Sequence, residues 1–210
     1  GASITSVTNA EGEALEGGET AIRIRISVSG TPNGLETIEI TPANSESIYD
    51  ASGNAMSALE TTGAKAIHDS QPPAVTNASS NSDNGIYVVG DNIEITVAFS
   101  ETVIVSGGTP TLVIETGDTD RTATYTGGSN SDTLTFLYTV QTGDMSDDLD
   151  YASSDALSSN GSTVRDAAGN DAVLTLPEPG AAGSLGANRN MVLDTAVQEG
   201  PEITVNDLGD

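Results

Sequence analysis

The chain has 210 residues, of which 31 are Asp or Glu and six are Lys or Arg, leaving a formal charge of -25. A field of that sign repels phosphate, so nucleic acid and anionic lipid are poor partners. There is no cysteine, which excludes disulfides, zinc–thiolate sites and thiol nucleophiles. No run approaches the ~18 consecutive apolar residues of a spanning helix, so membrane insertion is not expected.

Patterned apolar runs argue for a folded chain despite the charge. In "TAIRIRISV", Ile22, Ile24 and Ile26 fall on one face and Arg23 and Arg25 on the other. In "NIEITVAF", Ile93, Ile95, Val97 and Phe99 alternate with Glu94, Thr96 and Ala98. "TLTFLYTV" continues the pattern with Leu134, Phe136, Tyr138 and Val140. This period of two predicts antiparallel strands, apolar inward and polar outward. Turn signals such as "SGTPNG", "SGGTP", "TGDTD", "TGGSNSD" and "AAGN" separate the strands. No segment sustains a helical period, and the pattern predicts an all-β fold built as a β-sandwich.

The chain is self-similar. "VTNA" stands at 7–10 and again at 75–78, followed each time by Gly, an acid and an alternating strand. "IYDASGNA" matches "VRDAAGNDA", placing Asp50 against Asp166, and "AIHDSQPP" matches "MVLDTAVQ", placing Asp69 against Asp194. The offset grows along the chain, so the second copy holds extra central strands. Residues 1–70 are expected to form a short sandwich and 71–196 a longer one. Residues 197–210 are expected to open a third repeat or form a terminal extension. The start, "GASITS", has no basic and apolar leader, and the chain is expected to be a piece of something longer.

The acids are concentrated in places. "TGDMSDDLDY" carries Asp144, Asp147, Asp148 and Asp150, with Asp155 just beyond and no basic residue nearby in sequence. Like charges ~4 Å apart repel by about 1 kcal/mol in water, and by more where water is excluded. Two readings stand at this point. The side chains point into solvent, as most acidic runs do, or they supply the six to eight oxygens of a hard divalent cation. Asp144, Asp148 and Asp150 are close enough in sequence for one loop to wrap an ion. The two "DAxGN"-type stretches suit tight turns in which Gly53 or Gly169 takes positive φ, with ligation by Asp50 or Asp166 as an added possibility.

The run "GDNIEITVAFSETVIVSGGTPTLVIETG", then "ATYTGG", "LTFLYTVQTGD", "DLDYASSDAL", "VRDAAGNDAVLTLPEPGAAGSLG" and "MVLDT", resembles the immunoglobulin-like (cadherin-like) extender repeats of large secreted bacterial adhesins of the RTX type. The likeness covers nearly all of the second unit. The first unit shares only its leading strand and the "DASGN" and "HDSQPP" ends. The resemblance implies tandem immunoglobulin-like sandwiches on a bacterial cell surface, monomeric, stiffened by Ca2+ and with neighbouring repeats as partners. It implies a spacer role in cell adhesion and biofilm formation, holding a distal binding region away from the cell. It also implies ions at the domain poles, where Asp69 and Asp194 end the two units and Asp83 and Asp91 lie just past the junction. Pro72 and Pro73 stiffen that junction by fixing φ.

Other functions are less well served by these residues. One histidine, His68, cannot build a metal triad, and no serine stands at a strand–elbow–helix nucleophile position. A glycosidase pair of acids would need stacking platforms, yet the aromatics are five Tyr and two Phe. The chain is therefore read as non-enzymatic. The alternative is a module that itself binds a glycan, peptide or cell-surface ligand, with Tyr87, Tyr125 and Tyr151 as its exposed aromatics. A third reading makes the acidity a halophile's solubility device.

Overall fold

The computed structural model describes residues 1–16, 22–41, 43, 52–54, 57, 59 and 61–196. Asp50 and the segment 197–210 lie outside the described residues. The chain divides into two compact units, Gly1–Gln71 and Pro72–Asp210. Among the described residues the structure is all-β apart from one four-residue helical turn, and no helix is long and apolar enough to cross a membrane.

In the first unit, β1 (Ala2–Asn9) pairs antiparallel with β2 (Ile22–Val28), with a register shift between Ile4 and Ser6. The short β3 (Thr37–Ile38) pairs with β4 (Lys65–Ala66). The alternation read from "AIRIRISV" forms a strand, but no described residue of this unit is fully buried. Ile24 and Ile26 are half-buried and Ile22 is exposed. An open groove of about 310 Å³ runs between Ile4 and Ile26 on one side and Ile38 and Ile40 on the other.

The second unit holds the core. β5 (Val75–Ser80), β6 (Gly85–Tyr87), β7 (Asn92–Ser106), β8 (Thr111–Ile114), β9 (Arg121–Gly127), β10 (Ser131–Thr139), β11 (Met145–Ser146), β12 (Leu157–Ser158) and β13 (Thr163–Arg165) follow in order. A helical turn α1 (Leu185–Asn188) and β14 (Met191–Asp194) close it. The larger sheet runs β12-β8-β9-β10-β7-β13, with β5 also on β7, and the smaller runs β11-β14-β6. The fifteen-residue β7 organises the larger sheet: its first half pairs with β5 and β10, and its last residues pair with β13.

The period of two is realised as read. Ile93, Ile95, Val97 and Phe99 of β7 are buried, as are Leu134, Phe136 and Tyr138 of β10 and Val140 just after it. These join Met191 and Leu193 of β14 in one hydrophobic cluster. The β9–β10 turn requires glycine at one point. Gly128 has φ +100, and a Cβ there would lie 2.1 Å from the Thr133 carbonyl oxygen.

The uneven burial gives an expected outcome. Phe136→Ala should cost about 3–5 kcal/mol through lost burial and the cavity it leaves. Ile4→Ala, at a side chain 58% exposed, should stay within about 0.5 kcal/mol. Denaturant unfolding of the two variants measures the contrast.

Candidate metal centre

Folding splits the acidic loop 144–150 between two environments. Asp144 is 1% exposed. Its Oδ1 accepts from Arg121 Nε at 2.7 Å, and its Oδ2 accepts from the Tyr138 hydroxyl and from Gln141 N at 2.8 Å. Arg121 opens β9 and Tyr138 is the penultimate residue of β10, so neighbouring strands deliver both donors. Burial pushes the Asp144 carboxyl up. Hydrogen bonds from Tyr138, Arg121 and Gln141, with the Arg121 charge, more than offset this and hold it below the ordinary carboxylate value. Burial, then the bond to Asp144 and its charge, raise the Tyr138 hydroxyl. The same loop grips the end of β14: Thr195 Oγ1 accepts from Gly143 N at 3.1 Å and donates to the Asp144 carbonyl at 2.8 Å.

Sequence spacing grouped Asp148 and Asp150 with Asp144 around one ion; in the fold Asp144 is engaged by partners of its own. Its two oxygens already face an arginine and a phenol inside the fold. In sequence that arginine is 23 residues away, and only the β9–β10 pairing brings it near.

Asp148 and Asp150 turn elsewhere. Asp150 is 8% exposed. Its Oδ1 accepts from Tyr151 N and its Oδ2 from Gly180 N, each at 2.9 Å. A Cβ built on Gly186 would lie 3.0 Å from Asp150 Oδ2 and 3.5 Å from Asp148 Oδ2. Both carboxylates thus converge on the bare face of one glycine. The loop "PGAAGSLGAN" builds that face. Ser184, fully buried, caps α1 by accepting from Ala187 N at 3.1 Å and also accepts from Gly180 N at 3.1 Å. Gly180, Ser184 and Gly186 were not among the expected site residues; the small-residue run that contains them was their only signal. Next to Asp150 in the chain, Tyr151 is buried, its hydroxyl donating to the Pro177 carbonyl at 2.6 Å. Burial, then the charges of Asp150 and Glu178, push that hydroxyl up.

The remaining acids mostly serve their own turns. Asp166, 5% exposed, accepts from Gly169 N (2.7 Å), Asn170 N (2.8 Å) and Asn170 Nδ2 (2.7 Å). Burial pushes its carboxyl up, but the Asn170 side chain and the N–H groups of Asn170, Gly169 and Ala168 hold it below the ordinary value. Gly169 has the expected positive φ, +98. A Glu101 carboxylate oxygen lies within 4.8 Å of one from Asp166. Asp91 Oδ2 accepts from Val88 N at 2.9 Å, Asp69 Oδ1 from Gln71 N at 2.9 Å and Asp194 Oδ1 from Ala196 N at 3.1 Å. Asp83 and Asp147 are exposed.

No arginine of the second unit is left for the Asp148–Asp150 pair. Arg121 holds Asp144 and Arg165 holds Asp171. Arg189 donates to Ser79 Oγ at 3.2 Å and to the Ser80 carbonyl. Residues 72–210 contain those three arginines, no lysine and twenty-one acids. Asp148 is exposed and Asp150 buried, and their carboxylate oxygens are of the ligand type a hard cation takes.

Asp144 and Asp166 have depressed folded-state pKa values, so their stabilisation is present above the unfolded carboxyl pKa of about 3.9 and is lost as pH falls through the folded values. The stability gap between the protein and Asp166→Asn should therefore close on acidification below about pH 4. Paired denaturant melts across that range measure it. Asp144→Ala strands Arg121 and Tyr138 and should cost about 3 kcal/mol at neutral pH. The chain matches no family model, no curated protein and no solved structure.

Proposed function

We propose that this chain is a non-enzymatic extender module: tandem immunoglobulin-like β-sandwiches from a large, secreted bacterial surface adhesin, stiffened by Ca2+. The observation that carries the reading is the convergence of Asp148 and Asp150 on Gly186 in a unit whose arginines are all committed elsewhere. Asp148 and Asp150 would hold the ion, and backbone donors already orient Asp150 for it. A bound cation would supply charge neutralisation where the exposed Asp148 carboxylate meets that of the buried Asp150. It would also tie the loop 147–151 to the loop 180–186, which are far apart in sequence. A projecting spacer needs this kind of rigidity more than it needs a cleft.

The burial of the aromatics also supports a spacer over a glycan-binding module. Phe99, Phe136, Tyr138 and Tyr151 are buried. Tyr125 is half-buried, packs edge-on against Phe136 at 6.0 Å and accepts from Ser129 N. Tyr87 is half-buried, its hydroxyl donating to the Asp83 carbonyl. The seventh aromatic, Tyr49, lies outside the described residues.

A ligand held only by the native state stabilises by about 2.7 kcal/mol at roughly 100 times its Kd. For a unit of this size that corresponds to a rise in Tm of about 10 °C. Millimolar calcium added to chelated protein should produce such a rise, and the double variant Asp148→Asn/Asp150→Asn should lose most of it. An unchanged melting curve overturns the proposal. So does an equal rise with monovalent salt at matched ionic strength, which would favour the halophile reading.

A further inference from the structure

The first and last segments of the second unit are bonded to each other in the same direction along their lengths. Near the entrance, Val173 N donates to the Pro73 carbonyl at 2.7 Å, and Ala74 bridges Val173 in parallel. Further on, Ala78 N donates to the Gly183 carbonyl at 2.8 Å, and Asn188 Nδ2 donates to the Ala78 carbonyl at 2.7 Å. Arg189 then holds Ser79 and Ser80. Asn190 N donates to Asn84 Oδ1 at 3.1 Å, and its carbonyl accepts from Gly85 N at 3.1 Å. β6 and β14 finish the contact as a parallel pair, from Gly85 with Met191 to Tyr87 with Leu193. Position rises along one segment as it rises along the other throughout.

This order has a mechanical consequence. The chain enters the contact at the Pro73 end and leaves it after Leu193, at the opposite end. Tension on the unit's two ends pulls the segments past each other along their shared axis. The bonds then carry the load together and do not open one at a time. An antiparallel terminal pair would bring both ends out on the same side and unzip. Thr195, immediately past β14, adds an anchor through Gly143 and the Asp144 carbonyl.

The geometry points to a load-bearing clamp, formed by residues 73–87 and 173–195, that resists stretching of the unit from end to end. The inference rests on the parallel register alone and does not require a bound cation. The chain lacks cysteine, so one introduced at the exposed Glu178 gives a unique second handle near the entrance end of the contact. Single-molecule stretching of the full chain in one fixed buffer compares two directions: end to end, and from the N-terminal end to Glu178→Cys. Forced unfolding is governed by the unfolding barrier in the direction pulled, and the clamp should require at least about twice the force end to end. An end-to-end force no higher than the force through the Glu178→Cys handle overturns the clamp. Arg189→Ala should lower the end-to-end force selectively, and an equal fall in both directions counts against it. Since the two directions are compared in the same buffer, failure of the calcium reading leaves this ratio unaffected.

Discussion

The second unit has to place twenty-one acids with three arginines, and the way it satisfies buried carboxylates shapes much of the structure. A buried carboxylate without donors costs several kcal/mol, so each of these is met by N–H or O–H groups arranged by turns and strand ends. Asp166 takes its donors from the turn that follows it, and Asp150 takes one from Tyr151 and one from Gly180. Only at Asp144 does a cation complete a buried set, and there Tyr138 shares the work. Backbone dipoles carry no net charge, so this arrangement orders the carboxylates without neutralising them. The electrostatic excess that remains is what makes the Asp148–Asp150 convergence informative.

The same loops that settle the acids also set the connectivity. The loop around Asp144 reaches back to β9 and β10 and forward to Thr195. The loop 180–190 touches Asp150 at its start and β5 at its end. The polar network thus links the middle of the second unit to its first strand and to β14, around a core whose apolar residues come chiefly from β7, β10 and β14. A unit assembled in this way can be stiff although its smaller sheet has only three short strands. The two units differ in this respect, because the described residues of Gly1–Gln71 bury no side chain fully.

Much of the strand structure was legible in the sequence. Alternation at Ile93–Phe99 and Leu134–Val140 maps directly onto buried faces, because a strand sends every second side chain to the same side whatever it pairs with. The turn at Asp166 was also legible, since Asx chemistry and a left-handed glycine act within five residues. Tyr151 shows where such reading stops: it stands among acids in a polar stretch, yet the fold buries its ring and gives its hydroxyl to Pro177. Ile22 fails in the other direction, apolar and correctly placed on its strand but 46% exposed.

The sequence by itself determined the all-β character, the position of the main strands and the local turns, because these follow from periodicity and short-range hydrogen bonding. Tertiary structure alone decided which acids meet which donors. Asp144 belongs with Arg121 and Tyr138, and Asp150 with Gly180 and Gly186, because strand pairing joins positions that spacing along the chain does not relate. The parallel course of the entering and leaving segments was decided there too, for strand direction depends on how the intervening chain turns back and not on the residues of either strand.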